Sequence, residues 1–215
     1  CAIGWTDADY CPEDGPKGGY AFFPTIPRNE EKAGKFSYRS GSTDVMGWVL
    51  EAATGQPLAE LISRHVWKPM GAEFDANITV DSSGFPLADH GVSATLRDLA
   101  RVGLLILNKG QADGRRVVPA DFVEDMLTQP GDAEWPYGQV EGVEQYYRSF
   151  WWGSIGEVRA LSGFGIHGQT IRVVPESGTI VVIYSTWPLA DGQPGKDLWW
   201  ELDDIALGLE GRFRE

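Results

Sequence analysis

The stretch "GFGIHGQTIRVVPESGTIVVIYSTWP", residues 163–188, consists of two β-branched runs joined by a turn. "QTIRVVP" and "TIVVIYST" have the length and the Val, Ile and Thr content of strands, and the intervening "PESG" is a hairpin connection of the usual length. Working upstream, "YRSFWWGSI" (147–155) and "EVRALSG" (157–163) repeat the texture. The C-terminal third therefore reads as about three antiparallel strands. So small a set, apolar on alternate and sometimes on both faces, leaves an unpaired edge and a poorly covered surface. The sheet is expected to be incomplete within this chain.

Before residue 145 the period changes from two to 3.6. Residues 43–54 place Val45, Val49 and Ala52, with Met46, Leu50 and Ala53 alongside, on one helical face that ends at Gly55 as its C′ residue. A second helix begins after Pro57, carries Leu58, Leu61, Ile62 and Val66 on its stripe, and stops near Pro69. In "TLRDLARVGLLILNKG" (95–110), Thr95 can cap the helix with Asp98 at the capping-box position, and Leu96, Leu99, Ala100, Gly103, Ile106 and Leu107 define the face to be buried. A shorter helix follows Pro119 through Phe122 and Met126, and "KDLWWELDDIALGLE" (196–210) reads as a closing helix able to lie on the sheet. Residues 1–35 are dense in turn formers without period. The expected class is α/β in the α+β sense, with a loop-rich helical lobe over 1–145 and strands plus a C-terminal helix over 146–215.

A chain of 215 residues with 42% hydrophobic content can bury a core. Eighteen basic against thirty-one acidic residues give a net charge of -13, which repels phosphate backbones and anionic lipid, so nucleic acid is excluded as a partner class. No apolar run approaches the roughly 18 residues needed to span a bilayer, and no signal-peptide pattern is visible. Cys1 and Cys11 could close a small loop but fit no zinc spacing, and the three histidines, His65, His90 and His167, show no ligand spacing either. No metal or organic cofactor is called for. Because residue 1 is Cys rather than Met, the chain reads as processed, trimmed or part of something longer. Localisation stays open between cytoplasm, periplasm and a lipoprotein anchored through Cys1, and a homodimer stays open as well.

The residues able to carry chemistry cluster in two places. Tyr38, in "YRSGSTDV", stands at the mouth of a helix, where backbone N–H groups and the hydroxyls of Ser40 and Ser42 converge. A nearby cation there would ease its ionisation and let it shuttle protons, whereas a plain loop anchor would use the same hydroxyl structurally. In the second cluster, glycines 163, 165 and 168 let backbone approach a substrate closely, and a main-chain N–H could hold an oxyanion. Ile166 is the preferred donor, with Gly165 or His167 as near alternatives; a bulged edge strand is the bland reading. His167 could act as a base, tune Tyr38, bind a carboxylate or simply sit at the surface. Trp135, Tyr137, Tyr146, Tyr147, Trp151 and Trp152 gather aromatic area, and Trp187 is the chosen wall of a pocket for a methylene or acyl chain. Asp89 and His90 lie in a loop just ahead of "GVSATLRD".

"FSYRSGSTDVMGWVLEAATGQPLAELI" (36–62) resembles the second motif of the penicillin-recognising serine hydrolases, a superfamily holding class C β-lactamases, DD-peptidases and esterases, in which a Tyr-x-Asn or Tyr-x-Ser turn precedes a helix ending in "TG-x-PL". "TLRDLARVG" is similar to another of its segments. Residues 163–188 resemble its Gly-rich strand, closest to the Gly-x-x-Gly-Gln variant of the 6-aminohexanoate-dimer hydrolases and their esterase relatives, with His167 departing from the lysine version. The resemblance covers about residues 36–188 and implies a β-lactamase-like fold, with a helical lobe beside an antiparallel sheet flanked by helices. It also implies acyl transfer, with Tyr38 moving a proton, Ile166 binding the oxyanion, and Ser40, His90, His167, Gly168 and Trp187 contacting a small amide or ester. The chemistry of that superfamily needs Ser-x-x-Lys, in which serine attacks and a lysine one turn on accepts its proton. No serine in this chain has a lysine three residues later. The expectation is that the chain is the C-terminal portion of a hydrolase of about 350–400 residues, its nucleophile supplied by an upstream half, joined or separate. Two competitors remain: Cys1 as an N-terminal nucleophile, and a binding protein that has lost its nucleophile.

Overall fold

In the computed structural model, residues 15–28, 30, 36–128, 145–154 and 159–190 are described. Cys1, Cys11, Trp135, Tyr137 and the expected helix over 196–210 lie outside them. The chain divides into two compact units, one within residues 1–65 and 74–94, the other within 66–73 and 95–215.

The first unit is helical. A single turn, α1 (Gly19–Phe22), precedes α2 (Ser40–Thr54) and α3 (Leu58–Ile62), followed by the two-stranded ribbon β1 (Asn77–Ile78) and β2 (Val92–Ser93). Gly55 ends α2 in the left-handed region, φ 67°, with its N–H on Glu51 O, as its place in the sequence predicts. Tyr20 stacks on Trp48, with Phe85 tilted against Tyr20 and Phe23 against Trp48, and Asp81 pins α1 to the 81–85 turn by accepting the N–H groups of Gly19, Ser83 and Phe85. One expectation changes here. The apolar face of α2 is in place but stands in solvent, with Val45, Met46, Val49 and Leu50 exposed by 40–54%. What α2 buries is Asp44 and Gly47. The second predicted helix also changes character at Ser63, becoming a five-residue π-helix, Ser63–Trp67.

The second unit sets helices on a sheet. α4 (Leu96–Leu107) starts at Thr95, whose hydroxyl accepts the Asp98 N–H at 3.1 Å, the predicted cap. It packs on β8 (Gln169–Val174) and β9 (Thr179–Ile183) through Gly103, where a Cβ would come within 2.9 Å of Ile180. Its buried face differs from the predicted one in detail: Leu96 is exposed, and Leu105 is buried beside Ile106. After the short ribbon β3 (Gln111–Ala112) and β4 (Arg115–Arg116), α5 (Ala120–Leu127) adds Val123, Met126 and Leu127 to a core with Leu161, Ile171 and Val173.

Among the described residues the sheet holds five strands rather than about three, in the order β5 (Gln145–Arg148), β6 (Trp151–Ser154), β7 (Leu161–Gly165), β8, β9, all antiparallel. "YRSFWWGSI" splits into two strands because Ser149 and Phe150 both take positive φ, 51° and 68°, and make a two-residue hairpin between Arg148 and Trp151. Placing α4 on β8 and β9 also moves the division of the chain. The boundary falls near residue 94, not 145, because α4 shares its core with the strands.

Candidate active site

Between β7 and β8 the chain makes a single 3-10 turn, Ile166–Gly168. His167 sits in the left-handed region at φ 58°, and Gly168 follows at φ 85°. A non-glycine residue such as His167 is costly in that region unless the surroundings hold it. The segment 185–190 does so: the His167 N–H donates to Ala190 O at 2.8 Å, the Trp187 N–H donates to His167 O at 3.1 Å, and the His167 ring meets Trp187 O through Nδ1 at 2.7 Å. A carbonyl only accepts, so Nδ1 carries the ring proton, and in the neutral ring Nε2 is the acceptor nitrogen. Because its backbone N–H is engaged, His167 drops out as an alternative oxyanion donor. Ile166 occupies the exposed shoulder of the turn.

Gly168 is required for a local reason. A Cβ there would lie 2.4 Å from Cε2 of Trp187, so the indole lies directly across the glycine and stays half-buried. Ile166, His167, Gly168 and Trp187 thus come together on one turn. The residue that sequence reasoning missed is Gln169. Its Nε2 donates to Ser185 O at 2.7 Å, His167 O at 3.2 Å and Ile166 O at 3.3 Å, while its Oε1 accepts the Ser185 N–H at 3.3 Å. One amide bridges both segments. The available signal was its place in Gly-x-x-Gly-Gln, directly after the two left-handed residues.

In the first unit, Tyr38 is 53% exposed just before α2, and Ser40 is the first residue of that helix and also exposed. Arg39 occupies the N-cap without a side-chain cap, so the N–H groups of the first turn meet no capping side chain of their own. His90 is the exposed residue of the 86–91 loop, and its Nδ1 lies against the Asp89 carboxylate.

The remaining aromatics divide. Tyr146 is core: 1% exposed, its hydroxyl donating to Met126 O at 3.0 Å, with burial pushing its pKa up to about 12. Gly153 opposite must be glycine, since a Cβ there would fall 1.9 Å from the Tyr146 ring. Trp151 packs against the core, and Tyr147 and Trp152 meet edge to face. Among the described residues no group of three or more His, Cys, Asp or Glu side chains could hold a metal ion, and no helix is long and apolar enough to cross a membrane.

The beta-lactamase family profile matches residues 12–204. The chain belongs to the beta-lactamase family. Within that family it is 39% identical, over 178 residues, to the 6-aminohexanoate-dimer hydrolase of Paenarthrobacter ureafaciens, covering 82% of this chain and 45% of that protein. Among solved structures it superposes on the "Putative 6-aminohexanoate-dimer hydrolase from Bacillus anthracis" with a TM-score of 0.80 and 29% identity, over 95% of this chain and 51% of that one. A beta-lactamase-family structure from Bacteroides dorei DSM 17855, 15% identical with a TM-score of 0.52 over 76% of this chain and 54% of its own, shares the fold alone. The chain thus spans about half the length of the relatives it matches, and its helices and antiparallel sheet are those of a beta-lactamase-like fold.

Proposed function

We propose that this chain is the C-terminal portion of a serine hydrolase that opens an amide or ester bond through an acyl-enzyme, in the manner of the 6-aminohexanoate-dimer hydrolases. The observation that carries the reading is the 39% identity to such an enzyme over 82% of the chain. The serine belongs to a Ser-x-x-Lys on a segment outside these 215 residues, which contain no such pair. Exposure of the apolar face of α2 fits a molecule whose other half supplies the cover.

In this mechanism the serine attacks the acyl carbon and passes its proton to the lysine. Tyr38 relays that proton from the lysine to the leaving group, and the Ile166 N–H stabilises the oxyanion. Ser40, His90, His167, Gly168 and Trp187 contact the substrate, a small amide or ester. Water then releases the acid.

The test uses the full-length protein and a fluorophosphonate probe, with the labelled peptide mapped by mass spectrometry. Label on a serine followed three residues later by lysine, located about 60 to 120 residues before Tyr38, is the expected result. Tyr38→Phe should lower kcat by about 10²-fold or more while the protein stays folded. A label elsewhere, or full activity in Tyr38→Phe, overturns the reading.

A further inference from the structure

Asp44 is 2% exposed on a helix whose neighbouring apolar side chains are in solvent. A buried carboxylate requires compensation, and here it is specific. Asp44 Oδ1 accepts the Ala88 N–H at 2.7 Å and the Asp89 N–H at 3.1 Å, from residues more than forty positions away. Gly47, one turn further along α2, admits the same loop: a Cβ there would stand 3.3 Å from Ala88 and 3.2 Å from Leu58. The base of the loop is fixed separately, by Leu87 N–H on Thr79 O, Thr79 N–H on Gly91 O and Gly91 N–H on Leu87 O. Asp44 therefore holds the tip, where Asp89 and His90 lie, against the helix that begins at Ser40.

The position is electrostatically unfavourable. Burial first, and then the neighbouring Asp89 carboxylate, push the Asp44 carboxyl up, opposed by the two N–H groups and by His90. A neutral apolar residue facing the loop would avoid that cost, so the carboxylate is there for what it holds.

We infer that Asp44 is a positioning residue for substrate binding, its carboxylate locking the 88–90 backbone so that His90 is presented in fixed register with Tyr38 and Ser40 at the start of α2. This rests on the hydrolase reading above, with His90 as a substrate contact. Asp44 itself touches neither substrate nor the reacting atoms.

The experiment uses the full-length protein and a p-nitrophenyl ester. Asp44→Ala should raise KM about tenfold with kcat within about threefold, and Asp44→Asn, which keeps an acceptor oxygen, should recover most of that loss. In a His90→Ala background the Asp44→Ala increment in KM should vanish, a coupling that a purely structural role would not produce. KM unchanged in Asp44→Ala, or an increment that persists undiminished without His90, overturns the inference. Should Asp44→Ala fail to fold, Asp44→Ser carries the same cycle. If the parent protein hydrolyses neither esters nor amides, the hydrolase reading fails by itself. Amide exchange then decides the anchoring: faster exchange at Ala88 and Asp89 in Asp44→Ser upholds it, and unchanged exchange overturns it.

Discussion

Helices α2 and α4 both carry apolar side chains along a face and meet opposite fates. α4 is capped by Thr95, seats Gly103 on Ile180 and buries Leu105 and Ile106. α2 has no side-chain cap, exposes Val45, Met46, Val49 and Leu50, and buries a carboxylate and a glycine instead. Amphipathic pattern specifies that a helix has a face to bury; it does not specify that the partner lies within the same stretch of chain. α4 finds its partner in β8 and β9. The corresponding face of α2 stays in solvent.

The comparison breaks most visibly at Asp98. Its carboxylate is fully buried and accepts from the Thr95 hydroxyl, the Glu73 N–H and Arg101. Asp98→Ala leaves those donors and the Arg101 charge unmatched and should cost about 3–5 kcal/mol in urea unfolding. Gly103→Val comes next. The new side chain meets Ile180 and should cost about 1–3 kcal/mol, seen as a lower urea midpoint with unchanged slope. Val49→Ser on α2 should change the stability of the 215-residue chain by no more than about 0.5 kcal/mol, because that side chain is already in solvent. A cost above about 1 kcal/mol there would mean the face is covered after all.

The smallest effects lie in pH dependence, where two carboxylates of the first unit pull in opposite directions. Backbone N–H groups of Gly19, Phe85, Ser83 and Gly84 outweigh burial and hold Asp81 below its ordinary value. It adds stability above the unfolded pKa of about 3.9, lost as pH falls through the folded value. Asp44 is raised, so it subtracts stability as pH climbs from the unfolded pKa through the folded one. Asp81→Asn should therefore flatten the acid limb of the stability profile, and Asp44→Asn should raise the neutral plateau. The same sign for both variants in thermal melts across pH would contradict this assignment.

Much of the fold was legible. Thr95 and Asp98 announced α4, Gly55 ended α2, and "PESG" joined β8 to β9, with Gly178 at φ 66° closing that turn. Those features are local, and local chemistry shows in sequence. The hairpin at Ser149 and Phe150 did not show, because neither residue is the Gly or Asn that such a turn ordinarily announces. Burial on α4 was misread at Leu96, which is exposed, and at Leu105, which is buried. At the site, glycines and the tyrosine motif drew attention to Ile166, Gly168 and Tyr38, whereas Gln169 and Asp44 act through partners 16 and 44 or more residues distant. Such contacts leave no periodic trace.

The strand order of the sheet has a kinetic consequence. Each of the five strands pairs with its neighbour in sequence, so each pairing closes a short loop and none waits for a distant partner. Sheets ordered this way assemble stepwise from adjacent hairpins. On a ribosome, the β5–β9 meander could reach its register as it emerges, ready-made as a template for whatever docks against it later.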